Sequence, residues 1–514
     1  MKKIVLMFTC LLLLCGCNTV ISENITDDKE NLTAYNLSFN ESDSDPSYQI
    51  NGSTLITLGN EDIKITKGGT YILEGTLEGA SIIVDVDKSE DVQLVLNNVT
   101  INADDFAGIY IVEGDEITIT LAENSVNTIS DTGSYVKIDS NSVDALIYSK
   151  ADLIINGSGT LNLKSEYNHG IVSKDDLIIT GGTFNIDVAG QGLSGKDCLM
   201  ISNGTFNLTT GKDALKSDNS EDEYRGYVNI TGGTFTINTG ADAIYGYNLV
   251  NIKGGSFDIT TAKSSNADSY KGIKSEYSIT ISGGEFKIDS SDDAIHCDTD
   301  IVITGGTFEI ESDDDAIHAD GLVQIDSGDF TIDAHEGIEG TYILINGGNI
   351  TINASDDGIN AAQKVSTYTA TVEINGGYLT IVMGQGDTDG IDSNGYIYIN
   401  GGTVDVTGQF PFDYDKGAEH NGGTIIVNGS ETDEISNQFG NMDGFGGMGQ
   451  KPGNFNNQTP GSDNQLPEGQ FDPSEMPSGE FPSGEFPSGE FPSGDFPSGQ
   501  LPGGGNDGEH HHRN

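Results

Sequence analysis

A marker recurs along most of this chain: Gly-Gly, or a close variant, followed by Thr-Phe-x-Ile. Its second glycine falls at 182, 204, 233, 255, 284, 306, 328, 348, 377, 402 and 423. The steps are 22, 29, 22, 29, 22, 22, 20, 29, 25 and 21 residues. A base period near 22 with occasional insertions of about seven is the mark of a solenoid whose loops vary in length.

Within each repeat, apolar and polar residues alternate over short runs, as in Thr234-Phe235-Thr236-Ile237. That period means strand, and no stretch sustains a helical period. About three strands and three turns per 22 residues make one triangular coil. Parallel pairing would stack such coils about 4.8 Å apart. The expected fold is all-β, a right-handed parallel β-helix over residues 51–430, with 51–156 as a variant section that caps and starts it. Phe184, Phe206, Phe235, Phe257, Phe286, Phe308 and Phe330 share one register, and Ile186, Leu208, Ile237, Ile259, Ile288, Ile310 and Ile332 share another. Both read as interior stacks, because an exposed apolar stripe of that length would aggregate.

The ends read differently. Lys2 and Lys3 precede an apolar run that closes on Leu14-Cys15-Gly16-Cys17. This looks like a lipoprotein leader over 1–16, with Cys17 as the lipidated residue and the membrane touched only through that anchor. Residues 17–50 are polar and acidic and read as a flexible spacer. Residues 431–514, with Pro-Ser-Gly-Glu-Phe repeated from Pro477, read as a disordered tail. Cys198 and Cys297 are the only cysteines after Cys17, so no disulfide framework is expected, and the two read as separate thiols.

Against 23 basic residues stand 80 acidic ones, a formal net charge of −57. Nucleic acid and anionic membrane surfaces are excluded as direct partners, and divalent cations are the natural counter-charge.

The residue after each Asp-Ala-Ile-like segment forms a second ladder: Lys216, Tyr245, Lys274, His296, His318, Glu339, Asn360 and Asp392. Its chemistry changes from repeat to repeat, as a binding surface would. Before it stand Asp213, Asp242, Asp293, Asp315, Glu336, Asp357 and Asp389, with further carboxylates at Asp292, Asp298, Asp313, Asp314, Asp320, Asp356 and Asp387. Stacked carboxylates repel, and Ca²⁺ between repeats would relieve them through its six to eight oxygen ligands. A single Asp at a turn is explained by its own backbone hydrogen bonds, but doublets and triplets are not. The candidate calcium ligands are therefore Asp292, Asp293, Asp298, Asp313, Asp314, Asp315, Asp320, Asp356, Asp357, Asp387 and Asp389.

Several motifs together resemble a family of bacterial carbohydrate-binding domain-containing surface proteins. They are the lipobox, the repeated Ile-x-Gly-Gly-x-Phe-x-Ile, Lys271-Gly272-Ile273-Lys274-Ser275, Asp293-Ala294-Ile295-His296 and the run from Gly384 to Ser393. The resemblance covers roughly 51–430. It implies a pectate-lyase-like fold, bound Ca²⁺, and affinity for cellulose and acidic plant polysaccharide. The expected function is a monomeric cell-surface lipoprotein that binds an extracellular polysaccharide, polygalacturonate or cellulose. With no Trp in the chain, Tyr245, Tyr247, Tyr270 and Tyr277 are the available stacking surfaces. The alternatives are a calcium-dependent pectate lyase with Lys274 (or Lys216) as base, and an adhesin or stalk.

Overall fold

Three kinds of short strand alternate along the chain. A computed structural model of the protein describes residues 32–133, 135–136, 140–262, 269–384 and 388–437. The leader, Cys17, Asp387 and the tail beyond 437 lie outside them. Among the described residues there are 43 strands, all in one sheet, and two 3-10 turns, Leu32–Ala34 and Ser42–Ser44. From Thr183–Val188 to Ile295–Cys297, each strand pairs in parallel with the strand three places later. The same parallel pairing runs back to Thr54–Leu58 and forward to Thr424–Val427. The last strand differs. Ser430–Thr432 folds back antiparallel on Thr424–Val427 across Asn428-Gly429, both at positive φ, and closes that end of the sheet.

The marker strands form one continuous run. Thr183–Val188, Thr205–Thr210, Thr234–Thr239, Ser256–Thr261, Glu285–Ser290, Thr307–Ser312 and Asp329–Ala334 pair in sequence. Phe lies opposite Phe at every step, and the aliphatic residue two positions on lies opposite its counterpart. The seven rings stack with centroids 4.5–4.9 Å apart and planes within 5° of parallel. All seven are buried. Beyond Phe330 the column continues as Ile350, Leu379, Val404 and Ile425.

The glycine of the marker is required by the same column. Gly306 has φ +122°, and a Cβ there would meet two ring carbons of Phe308 at 3.0 and 3.1 Å. Only glycine permits that backbone and that approach of the ring.

Residues 32–48 depart from the flexible spacer expected of their composition. Leu32, Tyr35, Leu37 and Phe39 pack on Cys198, Met200, Tyr227 and Leu249, which face outward from the sheet. The Tyr227 hydroxyl and the Asn229 amide donate to the carbonyls of Asn36 and Leu37. The segment thereby covers an apolar patch that the sheet cannot bury by itself. Cys198 and Cys297 are both buried free thiols, as expected.

Candidate functional site

The variable ladder exists as one line of adjacent backbone positions. Lys216, Tyr245, Lys274, His296, His318, Glu339, Asn360 and Asp392 are successive partners in parallel pairs. Each sits on a short strand whose preceding Ile or Leu is fully buried, and this sends the next side chain to the opposite face. The line continues backward through Ser194 and Val172 and forward to Asp413.

Its first part is basic. The Lys216 and Lys274 ammoniums lie 5.2 and 5.3 Å from the centre of the Tyr245 ring. Lys216 pairs with Asp213 at 2.9 Å, and Lys274 with Glu276 at 3.5 Å. Burial works against the Lys216 charge, but the Asp213 and Asp218 carboxylates win and raise its pKa. Beside Lys216, where the ladder residues shorten to Val172 and Ser194, a cavity of about 190 Å³ opens. His169, Lys174, Lys196, Asp144 and Asp218 line it, and the His169 Nδ1 accepts from the Gln191 backbone N–H at 2.7 Å. Burial lowers the His169 pKa; Asp144 opposes it, and the charges of Lys212, Lys174 and Lys216 add to it.

The middle is a dense charge cluster. Asp293 is buried, and its Oδ2 lies 2.7 Å from His296 Nδ1, 2.8 Å from Lys271 Nζ and 3.5 Å from His318 Nδ1. Burial pushes this carboxyl up, but the hydrogen bonds from both histidines and the Lys271 ammonium hold it well below the usual carboxylate range. His318 Nδ1 lies 3.0 Å from Asp315 Oδ2, and its Nε2 lies 3.4 Å from Glu339 and 3.0 Å from Lys364 Nζ. Burial opposes a charge on His318, yet hydrogen bonds to Asp293 and Asp315 push its pKa up to about 10. Lys364 also sits 2.6 Å from Glu339. It comes from the insertion between Gly348 and Gly377 and reaches back across 46 residues of sequence to His318.

The candidate metal ligands divide by chemistry. Asp292, Asp293 and Asp314 bring carboxylate oxygens within 4.8 Å of one another. Burial and the charges of Asp293 and Asp292 raise the pKa of Asp314, the crowding that a cation relieves. This oxygen-only group fits Ca²⁺, although Lys271 shares two of its members. Asp298 and Asp320 instead face the Nε2 atoms of His296 and His318, at 2.9 and 3.6 Å. Asp315 belongs to a group with His318 and Glu339, and Asp356 to one with His335 and Glu336. These groups contain imidazole, which Ca²⁺ does not favour. Asp313 is exposed, and Asp357 Oδ1 accepts the Asp389 backbone N–H at 3.0 Å. Sequence reasoning missed His335, Lys271, Lys364 and a separate group of Asp152, Asp175 and Asp176. His335 had a visible signal, since it precedes the register acid Glu336.

Tyrosines line a second depression. Tyr35, Tyr224, Tyr247 and Tyr277 border a cavity of about 470 Å³. The Tyr247 and Tyr277 rings are 5.7 Å apart. Tyr270 lies elsewhere, with its carbonyl bonded to the Thr261 hydroxyl and its backbone N–H facing Asp292.

An all-β, mostly parallel sheet of in-register repeats, with one polar line running along it, defines a class of repeat protein. The chain belongs to the carbohydrate-binding domain-containing family, whose model matches residues 59–316 and 314–438. A carbohydrate-binding domain-containing protein of Acetivibrio thermocellus is 40% identical over 174 residues, which cover 34% of this chain. The match spans 61% of that relative's length. The structure of a polysaccharide lyase-like protein from C. thermocellum is similar over 45% of this chain and 96% of its own, at 31% identity and a TM-score of 0.41.

Proposed function

We propose that the protein is a surface lipoprotein that binds an acidic polysaccharide along its polar ladder. The observation that carries this reading is the basic stretch of the ladder. In a chain of net charge −57, Lys216 and Lys274 flank Tyr245 in adjacent registers, and Lys174 and Lys196 open beside them. Ammoniums two strand spacings apart would pair with carboxylates spaced along a uronate chain, and the Tyr245 ring offers an apolar face to a sugar. The three-strand pairing period supports a right-handed parallel β-helix of about 22 residues per coil, which would make the ladder straight. Calcium belongs to this reading at Asp292 and Asp314, where it would bridge protein and glycan carboxylates. Cys17 in its lipobox context supports the lipid anchor. The exposed Tyr277 beside Tyr247 suits a neutral glycan such as cellulose as a further ligand.

The lyase alternative needs an unprotonated lysine. Lys216 stands beside Asp213 and Asp218, which raise its pKa, and Lys274 Nζ is paired with Glu276 at 3.5 Å. The test follows retention on polygalacturonate and unsaturated-product absorbance together, in Ca²⁺ and then in chelator. Binding without product is expected, and Lys216→Gln with Lys274→Gln should weaken it about tenfold or more. Product that accumulates, and vanishes in Lys274→Ala, would instead make the protein a lyase. Retention unchanged in the double variant would remove the basic stretch as the glycan site.

A further inference from the structure

The repeated Asp-Ala-Ile-His segment carries a geometry of its own, beyond the basic stretch of the ladder. Each copy supplies a carboxylate, an imidazole three residues on and a second carboxylate two beyond that: Asp293, His296 and Asp298, then Asp315, His318 and Asp320. Parallel pairing sets the copies side by side, with His296 opposite His318. Both imidazoles turn Nδ1 toward Asp293. Its Oδ2 lies 2.7 Å from the first and 3.5 Å from the second, and Asp315 Oδ2 lies 3.0 Å from the second. A tetrahedral ion with bonds near 2.1 Å needs ligands roughly 3.4 Å apart. The Asp293 oxygen and the two imidazole nitrogens lie within 4.8 Å of one another, close enough to share one ion.

The far nitrogens are fixed in the same way. His296 Nε2 lies 2.9 Å from Asp298 Oδ1, and His318 Nε2 lies 3.0 Å from Lys364 Nζ and 3.4 and 3.6 Å from the Glu339 and Asp320 carboxylates. A carboxylate on the far nitrogen orients a ligating imidazole and increases its basicity. Both histidine side chains keep partial exposure, 14% and 13%, so an ion can enter from the polar face.

We propose that Asp293, His296 and His318 form a three-ligand site for a transition metal of the zinc type, with the fourth position left to solvent. The imidazole donors select such an ion over calcium. Lys271 Nζ, 2.8 Å from both Asp292 and Asp293, competes for one ligand and keeps Asp292 as an alternative partner.

The experiment is Co²⁺ titration of the chelator-stripped full chain carrying His510→Ser, His511→Ser and His512→Ser, so that the terminal histidines bind nothing. One Co²⁺ per chain is expected, with the intense visible absorption of tetrahedral cobalt. Stoichiometric Zn²⁺ should displace it, and millimolar Ca²⁺ should not. His296→Ala and His318→Ala should each abolish the absorption. Asp298→Asn alters an exposed side chain that is not a ligand, so it tests the site without disturbing the core; it should weaken binding by about 10- to 100-fold. Lys271→Gln should tighten it. Absence of stoichiometric Co²⁺, an absorption that survives both histidine substitutions, or displacement by Ca²⁺ would overturn the proposal. These outcomes are independent of retention on any glycan.

Discussion

At the scale of the residue, Gly306 and Phe308 constrain each other. The ring can stack on its neighbours only because nothing projects from the glycine two positions before it. Gly306→Ala should destabilise the chain by about 2–4 kcal/mol, through backbone strain and displacement of the ring, as read from urea unfolding. Gly305→Ala is the natural control, since φ is not positive there and no ring lies against it. Glu336 gives a second prediction. Burial and the Asp315 carboxylate push its pKa from the ordinary 4.5 up to about 8, against a hydrogen bond from Asn360. Between those two values the folded chain holds a proton that the unfolded chain has released, so stability falls as pH rises. Glu336→Gln should therefore raise the melting temperature at pH 8.5 in chelator and change it little at pH 4.

At the scale of the element, the marker strands were legible because every one repeats Phe and Ile in the same register. The segment 32–48 was not. Tyr35, Leu37 and Phe39 alternate with Asn36, Ser38 and Asn40, a strand-like pattern lost among the surrounding polar residues. Its partners, Cys198 and Tyr227, lie more than 150 residues away, and no local rule connects them. The segment has a measurable consequence. Burial raises the Cys198 and Cys297 pKa values, Cys297 to about 12, and both thiols should be inert to a thiol reagent. Leu37→Asp with Phe39→Ser should uncover Cys198 selectively and make it react at least tenfold faster, while Cys297 stays inert beneath its own repeat.

At the scale of the whole molecule, charge is distributed along one line. Lysines gather where the ladder begins, histidines and buried carboxylates occupy its middle, and Glu339, Asn360 and Asp392 follow. The order of these residues was readable from the period alone. Their electrostatics were not, because Lys364 and Lys271 enter from insertions and turns that the period does not index. Carboxylates that the sequence presents as a repelling column are in fact interleaved with ammonium and imidazole groups. The phenylalanine column gives this arrangement a metric. Each repeat advances the chain by one strand spacing, about 4.8 Å. Inserting one 22-residue unit between Lys274 and His296, which are now in adjacent registers, would leave the lysines and the histidine pair intact and change only the distance between them. The number of repeats is thus a ruler, and a chain of this design could be matched to ligands of different length by counting units, with no change to the residues that touch them.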